Sequence, residues 1–154
     1  MPPTKTRVPA QPGWFTLDDP PALLGSRCKT CGTVAFPKEA AFCRNPDCAG
    51  SQFDEVPLSR RGRIWSYTDA RYQPPTPYVA ADPYEPFCIA AVELAEEKMV
   101  VLGQVVRGVS ASDLAIGDEA ELVLDTLYED DDNEYLVWKW QPLAATKSRA
   151  ATNA

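Results

Sequence analysis

Four of the five cysteines lie within 21 residues of one another. Two residues separate Cys28 from Cys31, four separate Cys43 from Cys48, and eleven separate the two pairs. Two chain bends that each present two thiolates make the tetrahedral four-sulfur site that Zn²⁺ prefers. With all four positions taken by protein, such a site is structural and holds together a module too small to bury a core of its own. The spacing therefore predicts a structural zinc ion.

The residues around the bends suit this metal. Gly32 follows the first pair, so the backbone can turn and donate N–H groups to sulfur. Lys29 and Arg44 offset part of the negative charge of four thiolates, and we expect Phe36 and Phe42 to cover the site. A redox iron centre like that of rubredoxin is the alternative, although only the first bend carries the trailing glycine.

Catalytic chemistry has few candidates in this chain. Histidine is absent, which excludes histidine-based triads and general bases. Cys88 lies in a predicted strand and is expected to be buried and inert. No phosphate-binding glycine loop and no convincing acid–base pair occur, so we predict no catalytic residue. The odd cysteine count, with no export signal and no long apolar run, favours a cytoplasmic protein without membrane spans.

Charge is unevenly distributed. Up to Arg63 there are nine Lys and Arg against six Asp and Glu, and beyond it six against sixteen. This acidic bulk opposes general nucleic-acid binding. Arg60, Arg61 and Arg63 could still bind the phosphates of one ligand, since guanidinium groups suit phosphate. The alternative is a solvated junction that pairs with the acidic part of the chain.

Two groups of aromatic residues are candidate partner contacts. Trp14 and Phe15 are too apolar for a free tail and either pack on this protein or dock on another chain. Tyr72, Tyr78 and Tyr84 are interleaved with prolines in one loop. Aromatic residues in such loops often anchor interfaces, but they also pack on their own domain.

The remaining pattern predicts a mainly β protein. Five segments read as strands, and their order, with a short helical piece at 110–116, fits a five-stranded OB-fold barrel. Gly103 lies mid-strand, where barrels often bend. Asp19 is predicted to cap a short helix. The strand segments are residues 64–71, 87–94, 99–106, 119–127 and 135–141.

Four regions follow from these observations, and residues 1–12 are expected to form a mobile arm. They are an N-terminal arm and docking segment (1–21), a rubredoxin-like zinc ribbon (22–58), an OB-fold barrel (59–143) and a disordered tail (144–154).

The ordered combination resembles a known family, the OB-fold proteins with a rubredoxin-like zinc ribbon called domain of unknown function 35. The resemblance spans about residues 14–143. The four-residue second knuckle departs from the commoner two. The matching residues are 23–32, Phe36-Pro37, Cys43 and Cys48, 62–68, Tyr84, Pro86-Phe87, 90–94 and Gly117-Asp118.

The resemblance implies a role beside a thiolase-fold partner. Some members of the family join thiolase-like proteins of the lipid-transfer type in aldolases that shorten steroid side chains held as CoA thioesters. Others belong to thiolase or condensing complexes. The partner chain carries the acid–base groups, and the three arginines become candidates for the phosphates of CoA. The alternative from another class is a single-stranded nucleic-acid module that stacks bases on Trp65, Tyr67, Trp138 and Trp140.

Overall fold

The computed structural model describes residues 4–143, which form a small three-stranded ribbon and a larger barrel. Within this range no helix is long and apolar enough to cross a membrane. The strands are β1 (Thr6–Pro9), β2 (Leu24–Cys28), β3 (Val34–Ala35), β4 (Phe53–Pro57), β5 (Arg61–Ala70), β6 (Phe87–Leu94), β7 (Met99–Val105), β8 (Glu119–Glu129) and β9 (Asn133–Pro142), with a 3₁₀ turn at Ala111–Asp113.

The ribbon is an antiparallel sheet in the order β3-β2-β4. Its central strand, β2, ends at Cys28, so the first cysteine bend grows directly out of the sheet. At Gly25 a side chain would come within 2.8 Å of the Ala35 carbonyl oxygen and of Leu58, which explains the glycine there.

The barrel closes through strand pairs in the order β9-β7-β6-β5-β8-β9. β5 pairs with β8 over its first residues and with β6 over the rest, and its register shifts after Ile64. β7 and β9 meet in parallel at Gln104 and Val105. This is the predicted five-stranded OB fold, and period-two alternation located its strands because one face of each is buried. Val92, Leu94, Leu122 and Trp140 are fully buried in the core.

Gly103 allows two indole rings to approach the backbone of β7. A Cβ atom there would lie 2.8 Å from Trp140 and 2.9 Å from Trp138. The Trp138 indole N–H donates to the carbonyl oxygen of Leu102, 3.0 Å away. This indole N–H is thus bonded to a backbone carbonyl of β7 that lies outside the short segment paired with β9.

The N-terminal segment differs from the predicted mobile arm. Residues 6–9 form β1, which pairs in parallel with β9 from Asn133 to Leu136. The first half of β9 has a free edge, since β7 meets only its second half, and β1 fills that edge. The predicted tail, 144–154, lies outside the described residues.

The helix predicted at Asp19 does not form. Residues 18–20 are a bend without helical hydrogen bonds. Asp19 and Pro20 each precede a proline, and the residue before a proline is disfavoured in helical backbone geometry.

Ribbon and barrel share one apolar core. Phe15 and Leu23 are buried in the same cluster as Ile64 and Trp140 of the barrel, and Phe36 of the ribbon packs against this cluster. The two parts are therefore joined by packing as well as by the chain.

Candidate functional site

The four predicted ligand sulfurs come together at one end of the ribbon. The Sγ atoms of Cys28, Cys31, Cys43 and Cys48 all lie within 4.8 Å of one another. Cys28 and Cys48 are 3.8 Å apart, and Cys31 and Cys43 are 3.5 Å apart. Four sulfurs at the usual Zn–S distance of about 2.3 Å are separated by about 3.8 Å in a tetrahedron. The cysteines are free thiols rather than disulfides, and the donor set fits zinc.

Backbone N–H groups surround the sulfurs. Thr30 N donates to Cys28 Sγ, Asn45 N to Cys43 Sγ, and Gly50 N to Cys48 Sγ, at 3.3–3.4 Å. Each donor lies two residues after its cysteine, as expected when both bends wrap around a metal.

Gly50 was not singled out by the sequence analysis, although it belongs to the site. A Cβ atom at this position would lie 2.7 Å from Cys28 Sγ and 2.9 Å from the Thr30 hydroxyl oxygen. The chain after Cys48 can thus pass close to the first bend only without a side chain. The sequence feature that could have indicated this role is a glycine two residues after the last predicted ligand.

The thiols do not ionise equally. A hydrogen bond to the Thr33 hydroxyl, then the Thr33 backbone N–H, lowers the pKa of Cys31 to about 6. The Asn45 N–H acts to lower the pKa of Cys43, but burial and the neighbouring thiols outweigh it and raise that pKa to about 12. Four adjacent thiolates repel one another, so full ionisation requires a cation among them.

The charges and phenylalanines near the cluster differ in part from expectation. Lys29 pairs with Asp54 at 3.6 Å and Arg44 with Glu39 at 2.5 Å, so both cations also engage carboxylates. Phe36 packs edge-on against Trp14 and Trp138. Phe42, the other phenylalanine expected to cover the site, is 75% exposed.

Arg60 holds the junction between ribbon and barrel. Its guanidinium donates to the carbonyl oxygens of Pro21 and Leu122 and to Glu121. Arg61 and Arg63 are two-thirds exposed and form looser ion pairs with Glu121 and Glu119, at 3.9 and 3.7 Å.

The predicted aromatic contacts occupy different environments. Phe15 is 4% exposed in the core, so its side chain packs on this protein rather than being offered to a partner. Trp14 is half-buried against Trp138. In the proline loop, Tyr72 is 78% exposed.

The other two loop tyrosines brace their own loop. Tyr84 donates its hydroxyl to the carbonyl oxygens of Ala70 and Tyr72, and Tyr78 stacks on Phe87 at 5.8 Å. Their rings are half-buried.

Most of the remaining candidates are buried in the barrel. Cys88 is 3% exposed, and burial raises the pKa of its thiol, opposite to what a nucleophile needs. Of the tryptophans considered for base stacking, Trp138 and Trp140 are buried, whereas Trp65 is 61% exposed.

Both parts of the chain match known protein families. Residues 18–54 match the family described as "ChsH2, rubredoxin-like zinc ribbon domain". Residues 55–125 match "ChsH2, C-terminal OB-fold domain". A solved structure described as "Ltp2-ChsH2(DUF35) aldolase" superposes with a TM-score of 0.58 and 26% identity, covering 79% of this chain and 84% of that chain.

Curated relatives agree with these matches. The benzoylsuccinyl-CoA thiolase subunit BbsA of Thauera aromatica is 49% identical over 49 residues, 32% of this chain and 32% of the relative. A DUF35 domain-containing scaffold protein of Methanocaldococcus jannaschii is 32% identical over 136 residues, 84% of this chain and 88% of the relative. Since both parts match in order and this relative aligns over most of its length, the chain belongs to the ChsH2-type DUF35 family, which joins a rubredoxin-like zinc ribbon to an OB-fold barrel.

Proposed function

We propose that this chain is the non-catalytic, zinc-stabilised scaffold subunit of a thiolase-fold enzyme that acts on an acyl-CoA thioester. The observation that carries the proposal is the likeness to the chain of the solved aldolase complex, which extends through both ribbon and barrel. The scaffold protein from M. jannaschii supports the scaffold role, and the BbsA thiolase subunit supports a thiolase-like partner. The four thiols suit a reducing compartment, and we place the complex in the cytoplasm.

In the form we put first, the partner is a lipid-transfer-protein-type aldolase and the substrate a steroid acyl-CoA thioester. Retro-aldol cleavage removes the proton of the β-hydroxyl group and breaks the bond between the α and β carbons. The electron pair passes to the thioester enolate, which is then protonated. These steps need a base and an acid, which we assign to the partner, because this chain has no histidine and its Cys88 is buried.

A thiolase is the alternative partner, favoured by the locally higher identity to BbsA. In Geobacter metallireducens the same subunit is 42% identical over 64 residues, 40% of this chain and 41% of the relative. Activity assays of the purified complex distinguish the aldolase form from the thiolase form. An aldolase cleaves a β-hydroxyacyl thioester without free CoA, whereas a thiolase requires a β-ketoacyl thioester and CoA.

We assign the partner contact to the outer face of β5–β7 and the tip of the proline loop. Leu102 is paired with Ala91 and Ala91 with Ser66, the neighbour of Trp65. Leu102 and Trp65 are each more than 60% exposed. Exposed apolar side chains that lie together commonly mark protein interfaces, and Tyr72 supplies a further exposed ring.

A contact with CoA phosphates is assigned to Arg61 and Arg63. Both guanidinium groups are two-thirds exposed and form only loose ion pairs, although Arg63 also donates to the carbonyl oxygen of Gly117 at 3.0 Å. Arg60 is less suitable, because three hydrogen bonds hold it at the ribbon–barrel junction.

Co-expression with a thiolase-fold partner tests the proposal. We expect one stable complex in size-exclusion chromatography with light scattering. Trp65→Ser and Leu102→Ser should weaken it, whereas Phe42→Ser, an equally exposed apolar residue on the ribbon, should not. Separate elution of the wild-type chains would refute the scaffold role, and loss of the complex in Phe42→Ser alone would refute the assigned surface.

A further inference from the structure

A cavity lies between the proline loop and the barrel. Its volume is about 310 Å³, and its walls come from the loop before β6, the segment after β7 and the end of β8, with Lys139 of β9 in the lining. Pockets for small molecules begin at about 300 Å³. The cavity therefore has room for a compact ligand.

Lys139 is the unusual residue of this cavity. Its side chain is 4% exposed, and its ammonium donates to Asp125 at 2.9 Å. An ammonium has three N–H groups, and a buried charge is costly unless it is fully paired. Among residues 4–143, Asp125 is the one acceptor that the structure gives it. The other N–H groups of Lys139 are available to a ligand in the cavity that it lines.

A second cation lies in the same wall. Arg107 is exposed and donates one N–H group to the carbonyl oxygen of Thr126, at 3.4 Å, which leaves most of its guanidinium unused. Gln104 is paired with Lys139 on the neighbouring strand and also lines the cavity. The lining is thus rich in hydrogen-bond donors.

Part of the wall is apolar. The stacked rings of Tyr78 and Phe87 form one side, and Val105 and Leu127 contribute further hydrocarbon surface. A ligand that matches this wall carries a short hydrocarbon chain or one ring beside its polar group.

The charged residues around the cavity indicate which polar group its ligand carries. Lys139 and Arg107 are accompanied by Asp125 and by Glu85, which also lines the cavity. Two cations beside two carboxylates accommodate a single negative charge better than the double charge of a phosphate, because like charges repel at these separations.

We propose that this cavity binds a small organic monocarboxylate, with Lys139 and Arg107 holding the carboxylate and the Tyr78–Phe87 wall covering the hydrocarbon part. The proposal is independent of the scaffold role and is tested on the zinc-loaded full chain without a partner. The probes are benzoate, its neutral analogue benzamide, and inorganic phosphate.

The test is a titration followed by amide chemical shifts in ¹H–¹⁵N spectra. Benzoate should shift residues 105–109 and 126–128 saturably, and benzamide and phosphate should bind at least about tenfold more weakly. Arg107→Gln and Lys139→Met should each weaken benzoate binding, and Arg7→Gln, at an exposed arginine of β1 outside the cavity, should not. Arg107→Gln keeps the test decisive if Lys139→Met fails to fold. Equal binding of benzamide, shifts elsewhere, or unchanged affinity in Arg107→Gln would overturn the proposal.

Discussion

Trp14, in the segment that precedes the ribbon, stacks on Trp138 of β9 with ring centroids 5.9 Å apart and planes inclined by 17°. Phe36 packs edge-on against both rings, at 5.4 and 5.8 Å. The metal-binding ribbon therefore shares an aromatic cluster with the barrel, and its position relative to the barrel is fixed by this contact.

Removing the Trp14 ring should loosen that contact. We expect Trp14→Ala to lower the free energy of unfolding by about 2–3 kcal/mol, because a half-buried aromatic and its ring contacts are lost. Trp65→Ala, at a ring that is 61% exposed, is the matched control and should change stability by less than about 0.5 kcal/mol. Urea denaturation measures both. Equal effects would mean that the cluster contributes nothing specific.

The zinc site should tolerate no side chain at position 50. In Gly50→Ala the new methyl group would meet Cys28 Sγ at 2.7 Å, so the sulfur or the backbone must shift. We expect zinc per chain to fall after dialysis against a chelator, measured by elemental analysis, while Ala49→Ser at the exposed neighbour keeps one zinc. Full zinc retention by Gly50→Ala would contradict this description of the site.

Arg60 and Arg61 should differ although they are adjacent. Arg60→Lys loses hydrogen bonds to Pro21 and Leu122 that a single ammonium cannot replace. We expect a loss of about 1–3 kcal/mol in the free energy of unfolding. Arg61→Lys, at an exposed side chain, should be nearly neutral. A neutral Arg60→Lys would show that the junction does not depend on this guanidinium.

Acid should weaken the fold partly through Asp125. Burial acts to raise the pKa of this carboxyl, but the hydrogen bonds from Lys139 and from the Thr126 N–H, together with the charges of Lys139 and Arg107, outweigh it and hold the pKa below the ordinary value. The ionised form is thus favoured in the folded state. The resulting stability is present above the unfolded pKa of about 3.9 and is lost as pH falls through the folded pKa.

Urea midpoints between pH 6 and pH 2.5 measure this effect. Asp125→Asn should start from lower stability and decline less steeply with acid than the wild type. Asp131→Asn, on the exposed tip between β8 and β9, should follow the wild-type slope. A wild-type slope in Asp125→Asn would show that the Lys139 pair does not contribute to acid sensitivity.

Local patterns in the sequence predicted most of the barrel and the four-cysteine cluster. The strand from Glu119 begins where alternation placed it, and those from Phe87 and Met99 begin where two apolar segments on either side of a short turn predicted a hairpin. The cysteine spacing predicted the sulfur cluster because each pair of cysteines lies within one short chain bend.

The features that the sequence did not predict depend on contacts between residues that are far apart in the sequence. β1 exists because β9 offers a free edge, which nothing in residues 6–9 reveals. Lys139 lies between two core tryptophans in an alternating strand, so the pattern predicts an outward, solvated lysine. The surrounding tertiary structure instead buries it to 3% exposure.

Turnover of an acyl-CoA thioester by the separate and combined chains decides whether this chain is a scaffold subunit. We expect no turnover by this chain alone, little by the thiolase-fold partner alone, and full turnover by the zinc-loaded complex. Turnover by this chain alone, or a partner fully active without it, would refute the scaffold role.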